Sequence, residues 1–320
     1  MTEATARTRQ PSMADVARTA GVSAQTVSRA LRDSPNVNPE TRRRVLAAVE
    51  QLGYRFNNAA RVLASGRSHS IGLVLLQSGG YYSRSAVTAG VEAAAGAAGF
   101  SVSIATIAGL DTALMEKSLS KLADQGVDGL VIAVPLISVT QKMEDITQQI
   151  PTVTVDGSRT AGARVLGIDQ REAGRVATQH LLDLGHRQVW HVAGPDEWIE
   201  APPPLEGDWS PESGYRHGRI IAMIPDVTAV FAASDEMAFG LIRALRERGR
   251  SVPEDVSIVS VDDIALAAYC HPALTTVRQD FYRSGAAAVA LLLGGDEAEQ
   301  GAVAPATLTV RASTAPPRSR

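Results

Sequence analysis

The sequence predicts an α/β protein in two parts: a three-helix N-terminal head of the helix-turn-helix type, then a two-lobed domain built on parallel sheets. Three observations predict it. The head region holds three short helical patterns, each with its own start and stop signals. From Ser70 onward, short apolar runs alternate with helical stretches, the pattern of a parallel sheet with helices on both faces. The length of 320 residues is too great for one small core and suits a small domain plus a larger two-lobed one.

In the head, Ser12 precedes Met13-Ala14-Asp15, a capping pattern that predicts a first helix to about Ala20. Gly21-Val22-Ser23 supplies a tight turn. Ser23 can cap a second helix from Ala24 to about Leu31, whose Val27 and Leu31 would meet Val16 and Ala17. Asn38-Pro39-Glu40 joins a capping Asn to a proline at the first helical position and opens a third helix through Val45, Val49 and Leu52 to Gly53. Charge adds a partner. The first 67 residues carry eleven Arg against five acidic residues, a balance of +6, whereas the whole chain is at −3. A basic head on an acidic body points to a polyanion bound by the head alone.

In the body, Ile71–Leu75, Val102–Thr106, Gly129–Ala133 and Val153–Asp156 read as buried strands, separated by helices at Ser85–Ala98 and Met115–Gln125. A second lobe is expected from about Asp169, with a helix at Arg171–Leu184 and strands at Val189–Ala193, Ala229–Ala233 and Val256–Val261.

Met13-Ala14-Asp15-Val16-Ala17, Ala20-Gly21-Val22-Ser23, Thr26-Val27-Ser28-Arg29 and Leu52-Gly53-Tyr54 lie in an order and spacing that resembles the LacI/GalR (lactose-repressor-like) regulators. The resemblance runs through nearly the whole chain. It implies a DNA-binding head over 1–67 with its hinge helix at 57–64, then an effector-sensing and dimerisation domain over 68–320 similar to a periplasmic binding protein. Its first lobe would take about 70–168 and 281–304, its second about 169–278 and 305–313.

By this resemblance the second helix enters the major groove, with Ala24, Gln25 and Arg29 where base-reading residues sit; Gln pairs well with adenine, Arg with guanine, and Ala offers a methyl contact. Ser12, Ser23, Thr26, Ser28, Asn36 and Tyr54 would grip phosphates. Arg32 stands where Asn is common, and its role between phosphate and base is open. Asn57, Ala60 and Leu63 fall in the segment resembling the hinge helix, with Leu63 as the minor-groove wedge. The alternative is a plain linker helix with Leu63 packed on the body. The implied partners are double-stranded DNA at a pseudo-palindromic operator, a second copy in a homodimer, and a small effector, a sugar if any. The tail after Ala315 has no heptad leucines, so dimers rather than tetramers are expected.

For the effector the resemblance implies Asp156, Ser234 and Asp262 for hydroxyls and Trp209 and Phe281 for flanking the ring, at the carboxyl ends of strands. Trp209 as a packed loop aromatic and Asp262 as a turn carboxylate are the structural alternatives. Relatives follow the equivalent of Glu200-Ala201 with an Arg that clamps ligand hydroxyls and then a helix. Here Ala201 runs straight into Pro202-Pro203-Pro204-Leu205. Both features are expected to be absent, Val189, Val192 and Val230 to lose cover, and the chain to respond weakly to sugars or to be a ligand-blind repressor.

Other classes are disfavoured. The chain has no phosphate loop, no Gly-x-Ser-x-Gly elbow and no His-Glu-x-x-His pair, and its six His are scattered, so neither an enzyme nor a metal site is expected, nor any cofactor. Cys270 is the only cysteine, which excludes an intrachain disulfide and fits a reducing cytoplasm. An exported sugar-binding protein would need a secretory signal, and none is read here; no apolar run is long enough for a bilayer.

Overall fold

The first helix, α1 (Met13–Ala20), begins at the expected cap: Asp15 N–H donates to Ser12 Oγ at 3.3 Å, and Ser12 N–H donates to the Asp15 carboxylate at 2.9 Å. Gly21 ends it in the left-handed region at φ 66°, where a side chain is strained. In α2 (Ala24–Leu31), Thr26 N–H donates to Ser23 Oγ at 3.1 Å. Asn38 caps α3 (Pro39–Leu52) through Glu40 N–H, and Gly53 closes it at φ 60°. Val16, Val27 and Val45 are fully buried where the three helices meet, with Leu31, Val49 and Leu52 packed around them.

The computed structural model describes residues 11–31, 36–54, 67–77, 81–109, 111–134, 139–155, 162–166, 170–194, 205–294 and 306–318. The chain separates into two compact units, Met1–Ser68 and His69–Arg320, each with its own core.

The second unit has two sheets. One runs β2-β1-β3-β4-β5, entirely parallel, from β1 (Ser70–Leu76), β2 (Ser101–Ile107), β3 (Gly129–Ala133), β4 (Thr152–Val155) and β5 (Ala163–Leu166). Its central strands are apolar on both faces because helices cover both. On one side lie α4 (Tyr81–Ala97) and α10 (Phe281–Leu292), over Ile71, Leu73, Val131 and Val153; on the other lie α5 (Thr112–Asp124) and α6 (Gln141–Gln149), over Val74, Leu130 and Ile132.

The other sheet runs β11-β10-β9-β8-β6-β7, from β6 (Trp190–Ala193), β7 (Leu205–Glu206), β8 (Ala229–Ala232), β9 (Ser257–Asp262), β10 (Thr275–Arg278) and β11 (Thr307–Thr309); only β11 is antiparallel. Here α8 (Pro211–Ile221) and α9 (Asp235–Glu247) cover one face and α7 (Gln170–Asp183) the other. The predicted fold class, a three-helix head followed by α/β lobes with parallel sheets, is the observed one.

One expectation needs correcting. Val192 and Val230 are fully buried, and Val189 is half-buried. Strand side chains alternate between faces, and those of Val192 and Val230 point into the layer of α8 and α9, with Met237, Leu241 and Ile258. His191 and Phe231 take the opposite face, stacked at 4.8 Å between ring centroids.

Candidate DNA-reading helix and effector site

The face of α2 that packs inward is fixed by Val27 and Ala30, both buried. The 3.6-residue period then sets Ala24, Gln25 and Arg29 on the outer face, and all three are exposed. No carboxylate among the described residues pairs with Arg29, so its guanidinium is uncommitted. Ser23 is exposed and shares a 2.9 Å hydrogen bond with the hydroxyl of half-buried Thr26, while Ser28 is half-buried and Asn36 exposed. Two expected phosphate contacts have structural duties as well: Ser12 Oγ donates to Asp15 at 2.6 Å, and Tyr54 sits in the head's core at 9% exposure. Arg32, Asn57, Ala60 and Leu63 lie outside the described residues.

In the second unit the expected effector residues gather at the carboxyl ends of strands. Ser234 follows β8 and caps α9: its hydroxyl accepts Met237 N–H at 3.2 Å and donates to the carbonyl of Trp209 at 3.5 Å. Trp209, at φ 58°, lies against Gly194 so closely that a Cβ there would come within 2.5 Å of the indole. Asp262 ends β9, half-buried, at φ 120°. Phe281 opens α10 and packs into the first lobe's core. Asp156 lies outside the described residues. Ser234 and Trp209 are therefore in direct contact.

A residue the sequence reading missed lies against Phe281. Tyr82, in the first turn of α4 beyond the carboxyl end of β1, meets Phe281 edge-on at 6.3 Å. Its phenol is held above the usual range, chiefly by burial and further by the carboxylates of Asp262, Asp263 and Asp280, with Arg278 opposing. An aromatic one turn past the end of the first strand is the signal that would have found it. Gln279 Nε2 donates to Gln170 Oε1 at 2.9 Å, tying together two segments that pass between the sheets.

Asp235 was also missed. Its carboxylate is fully buried and accepts from Ser260 Oγ (2.5 Å), Thr276 Oγ1 (2.6 Å) and Ile264 N–H (2.8 Å). Burial pushes its pKa up to about 6 against the lowering effect of those three bonds. An unfolded Asp titrates near 3.9. Between those values the folded chain binds more protons than the unfolded one, so this group's contribution to stability falls as pH rises through the window and levels off above it. Denaturant unfolding of the parent and of Asp235→Asn at pH 4.5, 5.5 and 7 is expected to show it. The difference between the two should change by up to about 1.4 kcal/mol per pH unit below 6 and flatten above. His180, His186 and His191, whose pKa values are lowered by partial or full burial, are common to both proteins and cancel.

Family models cover the chain in three stretches: bacterial regulatory proteins of the lacI family over residues 12–57, periplasmic binding proteins and sugar-binding domain of the LacI family over 68–200, and a periplasmic-binding-protein-like domain over 200–314. The transcriptional regulator CelR of Thermobifida fusca is 33% identical over 303 residues, 85% of this chain and 88% of that protein. The chain belongs to the LacI family. The lactose operon repressor of Escherichia coli strain K12 is 30% identical over 331 aligned residues, covering 96% of this chain and 91% of the repressor. Among solved structures, the lac repressor dimer bound to operator and the anti-inducer ONPF superposes with a TM-score of 0.81 over 96% of this chain and all of that one, at 30% identity. The CelR–cellobiose complex gives 0.62 over 95% of this chain and 99% of that one, also at 30% identity.

This LacI-family chain is accordingly a DNA-binding transcriptional regulator with a periplasmic-binding-protein-like effector domain, and not an enzyme. Among the described residues, no helix is long and apolar enough to cross a membrane.

Proposed function

We propose that the chain is a cytoplasmic repressor that binds a pseudo-palindromic operator as a homodimer, and that its inherited sugar site is weakened by the loss of a segment after Ala201. The observation that carries the DNA reading is the outer face of α2, where Gln25 and Arg29 stand exposed opposite buried Val27 and Ala30. One such helix spans a half-site only, so a two-fold pair is needed for the full operator. Ser12, Ser23, Thr26, Ser28, Asn36 and Tyr54 serve the phosphate backbone, Arg32 contacts either a phosphate or a base, and the hinge segment with Asn57, Ala60 and Leu63 serves the minor groove. Residues 1–67 act as the DNA-binding head and 68–320 as the sensing and dimerising domain.

In the sensing domain, Asp156, Ser234 and Asp262 address hydroxyls while Trp209 and Phe281 flank the ring. Two observations support a weakened site. The aligned span of 331 residues with the lactose operon repressor exceeds this chain's 320, so the alignment carries gaps on this chain's side. The chain passes from Ala201 into three successive prolines, at the place where the family resemblance implies an Arg. A guanidinium binds paired hydroxyl oxygens with several fixed donors, and no other side chain replaces that geometry. Switching needs an effector that prefers one lobe arrangement, and a site short of its strongest donor offers little preference.

Operator binding by the full-length protein, measured by fluorescence anisotropy with cellobiose, ribose or ONPG present, is the test. Affinity should change by less than about threefold, a coupling below roughly 0.7 kcal/mol. Release of the operator by any of the three sugars, with binding confirmed by calorimetry, would show the remaining residues to be sufficient.

A further inference from the structure

We infer that Asp235 is a positioning residue of the effector site: from inside the second lobe it holds the left-handed turn that presents Asp262. The inference rests on the reading of Asp262 as an effector contact. The turn itself is unusual. Asp262 has φ 120° and Asp263 φ 54°, and neither is glycine. Residues with a Cβ persist in that region only where their surroundings over-determine the backbone.

The two amides that follow Asp262 show what does so. Ile264 N–H donates directly to Asp235 Oδ2 at 2.8 Å. Asp263 N–H donates to Thr276 Oγ1 at 3.2 Å, and that hydroxyl passes its own hydrogen to Asp235 Oδ1 at 2.6 Å. Both amides therefore end on one carboxylate. Asp235, Ser260 and Thr276 are all fully buried, so water does not compete for these bonds. The side chain of Asp263 is fixed separately, by Arg311 at 2.6 Å and Thr309 at 3.3 Å. Those contacts anchor the residue after Asp262 but make no bond to the amide of Ile264.

The choice of a carboxylate follows from the donor count. Three groups donate to Asp235 on its two oxygens: Ser260 and Thr276 to Oδ1, Ile264 to Oδ2. An asparagine could satisfy the first two with its single carbonyl oxygen but would set its NH2 against the Ile264 N–H. The charge, costly to bury, is thus required for the bond to the turn and not for those to Ser260 and Thr276. Asp235 also directly follows Ser234, whose hydroxyl reaches the carbonyl of Trp209. One buried group sits beneath two of the residues assigned to the effector.

Three variants of the full-length protein separate positioning from general support. Asp235→Asn and Thr276→Val each cut one link to the turn, whereas Ser260→Ala removes a bond to the same carboxylate and touches no link to the turn. Hydrogen exchange read by mass spectrometry should rise about tenfold for the 264 amide in Asp235→Asn and for the 263 amide in Thr276→Val, with β9 unchanged, and both amides should stay at the parent rate in Ser260→Ala. Unchanged exchange in Asp235→Asn, or an equal rise in Ser260→Ala, overturns the inference. Cellobiose titration of the same proteins adds a second readout. If the parent binds it, Asp235→Asn should lose about tenfold in affinity, and retained affinity with a loosened turn also overturns the inference. If the parent does not bind it, as the weakened site predicts, the exchange contrast alone decides whether Asp235 sets the turn.

Discussion

Gly240→Ala in the full-length protein is expected to destabilise the second lobe by about 3 kcal/mol or more, lowering its melting temperature by roughly 6–12 °C. A Cβ at Gly240 would lie 1.9 Å from the carbonyl oxygen of Pro211 and 2.6 Å from the backbone nitrogen of Tyr215. A carbon–oxygen contact needs about 3.3 Å, so α8 and α9 would have to part by more than 1 Å, on the order of a bond length. The atoms struck are backbone and cannot rotate away. On the facing helix the same geometry recurs, since a Cβ at Gly214 would meet the carbonyl oxygen of Met237 at 2.0 Å. Parting the helices would open the packing of Met237, Leu241 and Ile221, all fully buried. Gly174→Ala is the control, because in α7 the only nearby atom among the described residues is a Phe231 ring carbon at 3.9 Å. There alanine should stabilise by up to about 1 kcal/mol through helix propensity alone. Calorimetric melts of both variants check the pair, and a shift in the same direction for both would refute the close-approach account.

What the sequence reveals and what it conceals divide along the range of the interactions. The head was legible because its signals are local: Ser12 with Asp15, Asn38 with Pro39, and the glycines at 21 and 53 lie within a few residues of the ends they set. The inner strands of the first lobe were legible because burial on both faces demands unbroken apolar runs such as Ile71–Leu75. The helix α6 was missed because its sequence is mostly polar and only Met143 and Thr147 are buried, and β5 because it is an edge strand with two exposed residues. For the proposed effector site, Ser234, Trp209, Asp262 and Phe281 could be named from resemblance, but the bonds that orient them could not. Asp235 meets Thr276 across 41 positions of sequence, and no local pattern announces such a pair. The misjudged cover of Val192 and Val230 has a related cause. Alternation separates the two faces of a strand without saying which layer of helices each one meets.

Arg29→Ala is expected to cost the proposed dimer about 2–6 kcal/mol of operator affinity, roughly 30-fold to 10⁴-fold, while leaving binding to random DNA within a few-fold of the parent. The guanidinium stands in the last turn of α2, exposed and without an acidic partner among the described residues, so nothing has to be broken before it forks onto a guanine. Each bidentate contact discriminates by about 1–3 kcal/mol, and a two-fold pair makes two. The stability of the head should hardly change, because its core of Val16, Val27 and Val45 does not include Arg29. Leu63→Ala provides the contrast. If Leu63 wedges into the central step, its loss removes the gain from bending and lowers operator affinity without altering preference within each half-site. Binding measured on the operator, on operators with single half-site changes and on random duplex distinguishes the two variants. Arg29→Ala should flatten preference at one position per half-site, and Leu63→Ala should lower all operator variants together. Equal losses on operator and random DNA for Arg29→Ala would mean that the residue grips phosphate, and base reading by α2 would then have to be sought around Ala24 and Gln25.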